Sequence, residues 1–169
     1  MRLDEIEVIV AAGRGISRIV QDALAKIFEE LQSSGATRLL SAIDVCHAQL
    51  AATAIGMFSL YEARLQTNFG WNDPFKMLQE KLTQLGESDL AENFENLRLA
   101  INTLKYGEGR SHTTLLERVQ DLPFAVRDVS DSFCEEGDVC PLPDLVEASP
   151  EFLEACCDVV EASWAKVRA

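Results

Sequence analysis

The chain has 169 residues, 47% of them hydrophobic and 25% charged, enough to enclose one core and too apolar for a disordered tail. Its 28 acidic residues against 15 basic ones give a net charge of −13, which argues against nucleic-acid binding over the surface as a whole. The acidity is local: Asp121 to Glu161 holds twelve acidic residues and one basic one, Arg127, and the remainder is nearly neutral.

Asp4, Glu5 and Glu7 stand where a secretory signal would carry basic and then apolar residues, so a cytoplasmic location is expected. The uncharged stretch from Leu50 to Leu60 is shorter than the roughly 20 apolar residues a bilayer requires, which makes it a core helix and predicts no membrane association. Five cysteines without framework spacing predict reduced thiols. Cys134 and Cys140 flank an acidic loop and are placed to bridge or to join a histidine at a metal. With no C-x-x-C pair, neither a metal site nor a cofactor is expected.

In chain order, Ile6, Ile9, Ile16, Val20, Ala23, Ile27 and Leu31 recur at helical steps and predict a first helix from about Asp4 to Gln32, ended by Ser33, Ser34 and Gly35. A second helix is predicted from Thr37 to Thr67, with Leu40, Ile43, His47, Leu50, Ala54, Met57, Tyr61 and Leu65 on one stripe. At 1.5 Å per residue it would be about 45 Å long and needs other helices beside it. His47 on this stripe reads as a core histidine, and Phe58, Tyr61, Phe69 and Trp71 as core aromatics. Asn72, Asp73 and Pro74 open a third helix that Gly86 closes. Ser88 or Asp89 caps a fourth, with Leu90, Phe94, Leu97, Ile101 and Leu104 inward and Gly107 as its stop. A short fifth is predicted from Thr114 to about Gln120, with Glu117 placed for a capping box. Prolines and a glycine punctuate residues 121–148, an irregular acidic segment with room for a small hairpin. Ser149 and Pro150 start the last helix, with Phe152, Cys156, Val159 or Val160, and Trp164 inward. The expected fold is therefore all-α: one domain, an up-down bundle of five to six helices with its core over residues 4–120 and a C-terminal helix at 149–168.

The run Ala11-Ala12-Gly13-Arg14-Gly15-Ile16-Ser17 superficially resembles the glycine-rich turn of short-chain dehydrogenases. Ala11 and Ser17 replace two of the glycines, and neither Tyr61 nor Tyr106 has a lysine four positions on. The alternation of strands and helices such a domain needs is missing. Small residues at a close helix–helix approach account for the run instead.

The stretch most suggestive of function is Leu97 to His112. Arg98, Asn102 and Lys105 fall at i, i+4 and i+7 and share one helix face, which ends in a glycine-bracketed turn carrying Arg110, Ser111 and His112. A solvated helix face followed by a helix stop would show the same pattern. Together with the preceding amphipathic helices, Asn102 to Gly107 resembles the signature of the HEPN (higher eukaryotes and prokaryotes nucleotide-binding) superfamily, an arginine, a polar residue, three variable positions and a histidine. The resemblance implies a small helical bundle, often a homodimer, frequently a metal-independent ribonuclease of bacterial defence or toxin systems. Asn102 matches the polar position and Gly107 the glycine that often follows. Ile101 stands at the arginine and Tyr106 at the histidine. Isoleucine cannot hold a phosphate, and a tyrosine with an ordinary pKa near 10 is a poor proton shuttle at neutral pH.

The resemblance therefore implies a binding or regulatory module without catalysis, with Arg98, Asn102, Lys105 and Tyr106 as the binding residues and RNA or a nucleotide as the ligand class. An alternative is a ribonuclease or toxin rebuilt on Arg110 and His112. A third reading is an interaction protein whose acidic stretch engages a basic protein partner.

Overall fold

The computed structural model describes residues 4–33, 37–130 and 144–169 and shows an all-α bundle. Six helices run in the order α1 (Glu5–Leu31), α2 (Thr37–Phe69), α3 (Pro74–Gln84), α4 (Ser88–Tyr106), α5 (Arg110–Glu117) and α6 (Pro150–Arg168). A 3-10 turn, Val119–Asp121, follows α5. Cys134, Cys140 and Gly35 lie outside the described residues.

Local chemistry sets most boundaries. Asp4 caps α1 through a reciprocal capping box with Glu7, and Ser149 caps α6 through the Phe152 amide ahead of Pro150. Asp73 accepts from the Lys76 amide before Pro74, and Gly86 and Gly107 take positive φ values of 79° and 74° just past α3 and α4. Two starts differ from expectation. Helix α4 begins at Ser88 after Glu87, and no side chain caps it. Helix α5 begins at Arg110, a turn earlier than Thr114, entered from an extended Gly109, with His112 and Leu115 both turned inward. No capping box forms there.

The buried faces are rotated relative to the large apolar residues. Along α1 the buried line is Ile6, Val10, Gly13, Ser17, Val20 and Leu24, with Ile9, Ile16, Ala23 and Ile27 on its flanks. Small residues occupy the centre because α1 lies close against both α2 and α6. A methyl group on Gly13 would sit 2.7 Å from the Cys157 sulfur and 3.3 Å from that of Met57, and Ser17 donates to the Pro150 carbonyl at 3.2 Å. The glycine-rich run is thus a helix-packing feature, and Arg14 within it ties α1 to α6. Its guanidinium lies 2.7 Å from Asp158, 2.8 Å from Glu161 and 3.7 Å from Glu154.

In the first half of α2 the core positions are Leu39 and Cys46, while Leu40 is exposed and His47 only half-buried, so His47 is not a core histidine. Farther along, Leu50, Ala54, Met57, Phe58, Tyr61 and Leu65 are buried. Helix α2 reaches 33 residues, long and apolar enough by length and composition to cross a membrane, and 22% of its most apolar 18-residue window is buried.

The central core is aromatic. Phe94 of α4 stacks on Phe58 of α2 at 5.9 Å between ring centroids and meets Phe75 of α3 edge-on at 5.2 Å. Tyr61 packs against Trp164 at 6.5 Å, and its hydroxyl shares a buried 2.8 Å hydrogen bond with Ser163 of α6. Phe69 and Trp71, half-buried, stack at 4.6 Å. Between α5 and α6 the irregular segment forms one antiparallel bridge, Val126 with Val146, in which Arg127 donates to the Leu145 carbonyl and Glu147 to that of Ala125.

Replacing Gly13 with Ala should cost about 1–3 kcal/mol, because Cys157 has little freedom to retreat. Replacing Gly15, with nothing within 4 Å of its missing methyl, should instead stabilise α1 by roughly 0.5–1 kcal/mol. Denaturant unfolding of the two variants checks the contrast. Burial raises the Tyr61 hydroxyl above its usual range and pushes the Cys157 thiol up to about 12, so the folded chain holds protons that the unfolded chain releases from about pH 9 upward. Stability is therefore complete below pH 9 and falls as pH rises toward 12. For each retained proton the loss is about 1.4 kcal/mol, or roughly 3–5 °C in Tm, per pH step. A melting series from pH 8 to 10.5 detects this decline.

Candidate functional site

The face of α4 singled out by the Arg98, Asn102 and Lys105 spacing forms one wall of a cleft of about 430 Å³, within the size range of small-ligand sites. Tyr106 closes the same wall at the helix end, and Ile101 lies in its floor. Helix α2 contributes Phe58, Ser59 and Glu62, and the first turns of α3 contribute Asp73, Phe75, Lys76 and Gln79. The floor is therefore the aromatic cluster that joins these helices. The rim is polar.

Three cations, Lys76, Arg98 and Lys105, face two carboxylates, Glu62 and Asp73, and Glu95 pairs with Arg98 from the adjoining cleft, so the charges balance locally in a chain of net charge −13. Arg98 is half-buried and held in a fork by Glu95, with its Nε 2.7 Å from one carboxylate oxygen and its Nη2 2.7 Å from the other. This pair, followed by Asp73 and Glu62 at longer range, raises the guanidinium pKa. Lys105 reaches over the Tyr106 ring, 5.0 Å from its centroid, and that ring is 73% exposed. An aromatic face with a cation above it beside a polar wall can stack on a planar ligand and hold its negative charge. The titratable groups lining the cleft are two carboxylates, two lysines, a guanidinium and a phenol, with neither an imidazole nor a thiol among them.

Arg110 and His112 lie apart from this cleft. Arg110 is exposed in the first turn of α5. His112 is 3% exposed, and its Nε2 lies 2.7 Å from the Arg127 carbonyl. A carbonyl only accepts, so Nε2 carries the proton and donates it. The imidazole therefore joins α5 to the strand of the Val126–Val146 bridge.

A second, larger cleft of about 1000 Å³ crosses the first half of α4 and carries Asp89, Glu92, Glu95 and Asp121 with Arg118. Arg118 donates to the buried Asn96 side chain at 3.1 Å. Gln79 lines both clefts, and the Glu95–Arg98 pair stands between them. The contribution of Lys76, Glu62 and Asp73 to the first cleft carries no signature along the chain, since they come from two other helices. The i, i+3 spacing of Glu95 and Arg98 is the one local sign of the ion pair. Among the described residues no group of three or more His, Cys, Asp or Glu is arranged to hold a metal ion.

His112→Ala should remove the hydrogen bond to the Arg127 carbonyl and cost about 1–3 kcal/mol of stability, seen as a lower unfolding midpoint, with ligand binding in the cleft unchanged. No family model, curated protein or solved structure matches this chain.

Proposed function

We propose that this protein is a HEPN-like binding or regulatory module without nuclease activity, and that it holds an anionic ligand of the RNA or nucleotide class in the α2–α3–α4 cleft. One observation carries the reading: Arg98, Asn102, Lys105 and Tyr106 stand together on one wall of a cleft that gathers three cations in an acidic chain. The stacking surface of Tyr106 and the donors of Asn102 and the three cations suit a base with its phosphate. The burial of His112 against the Arg127 carbonyl supports a role in binding over one in proton transfer. The setting that the HEPN resemblance implies is a bacterial defence or toxin system. A homodimer goes with this reading, supported by the uncharged stretch of α2 from Val45 to Leu60, whose two end residues are 66% and 52% exposed.

The acidic stretch offers less to a basic protein partner than its composition suggests, because Glu154, Asp158 and Glu161 already face Arg14.

Fluorescence anisotropy with labelled short single-stranded RNAs, competed by nucleoside monophosphates, tests the proposal. Lys105→Ala and Tyr106→Ala should each weaken binding roughly tenfold, the loss of one charge contact or one stacked base, and the wild-type affinity should fall with added salt. Binding unaffected by both substitutions would overturn the reading. Metal-independent RNA cleavage lost in His112→Ala would establish the ribonuclease alternative in its place.

A further inference from the structure

The partition between the two clefts is an ion pair already complete in the free protein, and this restricts what the first cleft can accept. Arg98 presents its fork to Glu95 in a two-point contact, both distances 2.7 Å, and the side chains are 31% and 18% exposed. An incoming anion takes the Nε–Nη2 edge of the guanidinium only by displacing that carboxylate. We infer that Glu95 is a positioning residue that acts through Arg98 as an internal competitor, making the cleft selective for doubly charged phosphoryl groups over singly charged carboxylates. The inference rests on the reading of the cleft as an anion site.

Binding at that edge of Arg98 is an exchange of one anion for another. A ligand carboxylate that takes the fork replaces one carboxylate with another of equal charge and geometry, so the contact itself yields nothing. The displaced Glu95 must then turn toward the adjoining cleft, where Asp89, Glu92 and Asp121 outnumber the single cation Arg118. Glu62 and Asp73, which also face Arg98, repel any anion that enters. A phosphate monoester brings nearly two charges and three acceptor oxygens, so it can engage Arg98 together with Lys76 and Lys105 on the same lining. Only this second kind of ligand gains more than it displaces.

Phenyl phosphate and benzoate share one aromatic body and differ in the head group, so they are the probes. Their dissociation constants are read from nuclear magnetic resonance titrations at pH 7.5, with the Arg98 Nε–H signal as the local reporter. For the wild type, phenyl phosphate should bind at least roughly tenfold tighter than benzoate. Glu95→Gln, which keeps the shape and removes the charge, should tighten benzoate by about tenfold and reduce the preference to roughly two- to threefold. Glu95→Asp, which keeps the charge, should retain the wild-type preference, a pattern that a purely structural role for Glu95 would not produce. An unchanged preference in Glu95→Gln, or equal binding of both probes to the wild type, would overturn the inference and leave the cleft reading intact. Absence of phenyl phosphate binding to the wild type and both variants would overturn both.

Discussion

The contact of Phe94 with Phe58 and Phe75 fixes the positions of α2, α3 and α4 relative to one another, and the candidate site follows from it. Aromatic rings in offset or edge-on contact hold a defined separation, because each large flat side chain fills a space that no other arrangement of the three helices would leave. Phe58 and Phe75 present their outer edges to the cleft, so the surface that organises the core is also the floor of the site. Loss of any of these rings would therefore act on stability and on the cleft together.

Charge is arranged on a similar principle, with strong pairs set where helices meet. Arg14 draws three carboxylates of α6 onto α1, Lys166 of α6 pairs with Glu87 before α4, and Arg168 pairs with Asp4 at the start of α1. These pairs are partly exposed, and each contributes modestly to stability. Their larger effect is on the field. Arg14 offsets part of the acidity of α6, whereas Lys166 and Arg168 commit that helix's own cations to Glu87 and Asp4. A net charge of −13 thus coexists with a cleft that gathers three cations, Lys76, Arg98 and Lys105.

Much of the fold is legible along the chain because helix ends are written in local chemistry. Asp4 with Glu7, Asp73 with Pro74, Ser149 with Pro150, and the glycines at 86 and 107 each act within a few residues. Where that chemistry is silent, the expected boundary differs from the observed one: α5 starts after Gly109 with no capping side chain, and α4 after Glu87. The buried stripes of α1 and α2 depart from their periodicity for another reason. In α1, size and hydropathy favour Ile9 and Ile16, whereas close approach by neighbouring helices favours Gly13 and Ser17; in the first half of α2 the buried line runs one residue earlier than expected, through Leu39 and Cys46. A sequence pattern reports which residues are apolar, and contact depends on which are small enough.

By itself the sequence determined that the chain is helical, where most of its helices begin and end, and that Arg98, Asn102 and Lys105 share one face, since all of these depend on spacing along a single helix. Only the tertiary structure decided what stands opposite that face. Phe58, Glu62, Asp73 and Lys76 come from two other helices, and His112 is withdrawn from the surface by a carbonyl fifteen residues away. Such juxtapositions follow from packing between segments distant along the chain, which no local periodicity records.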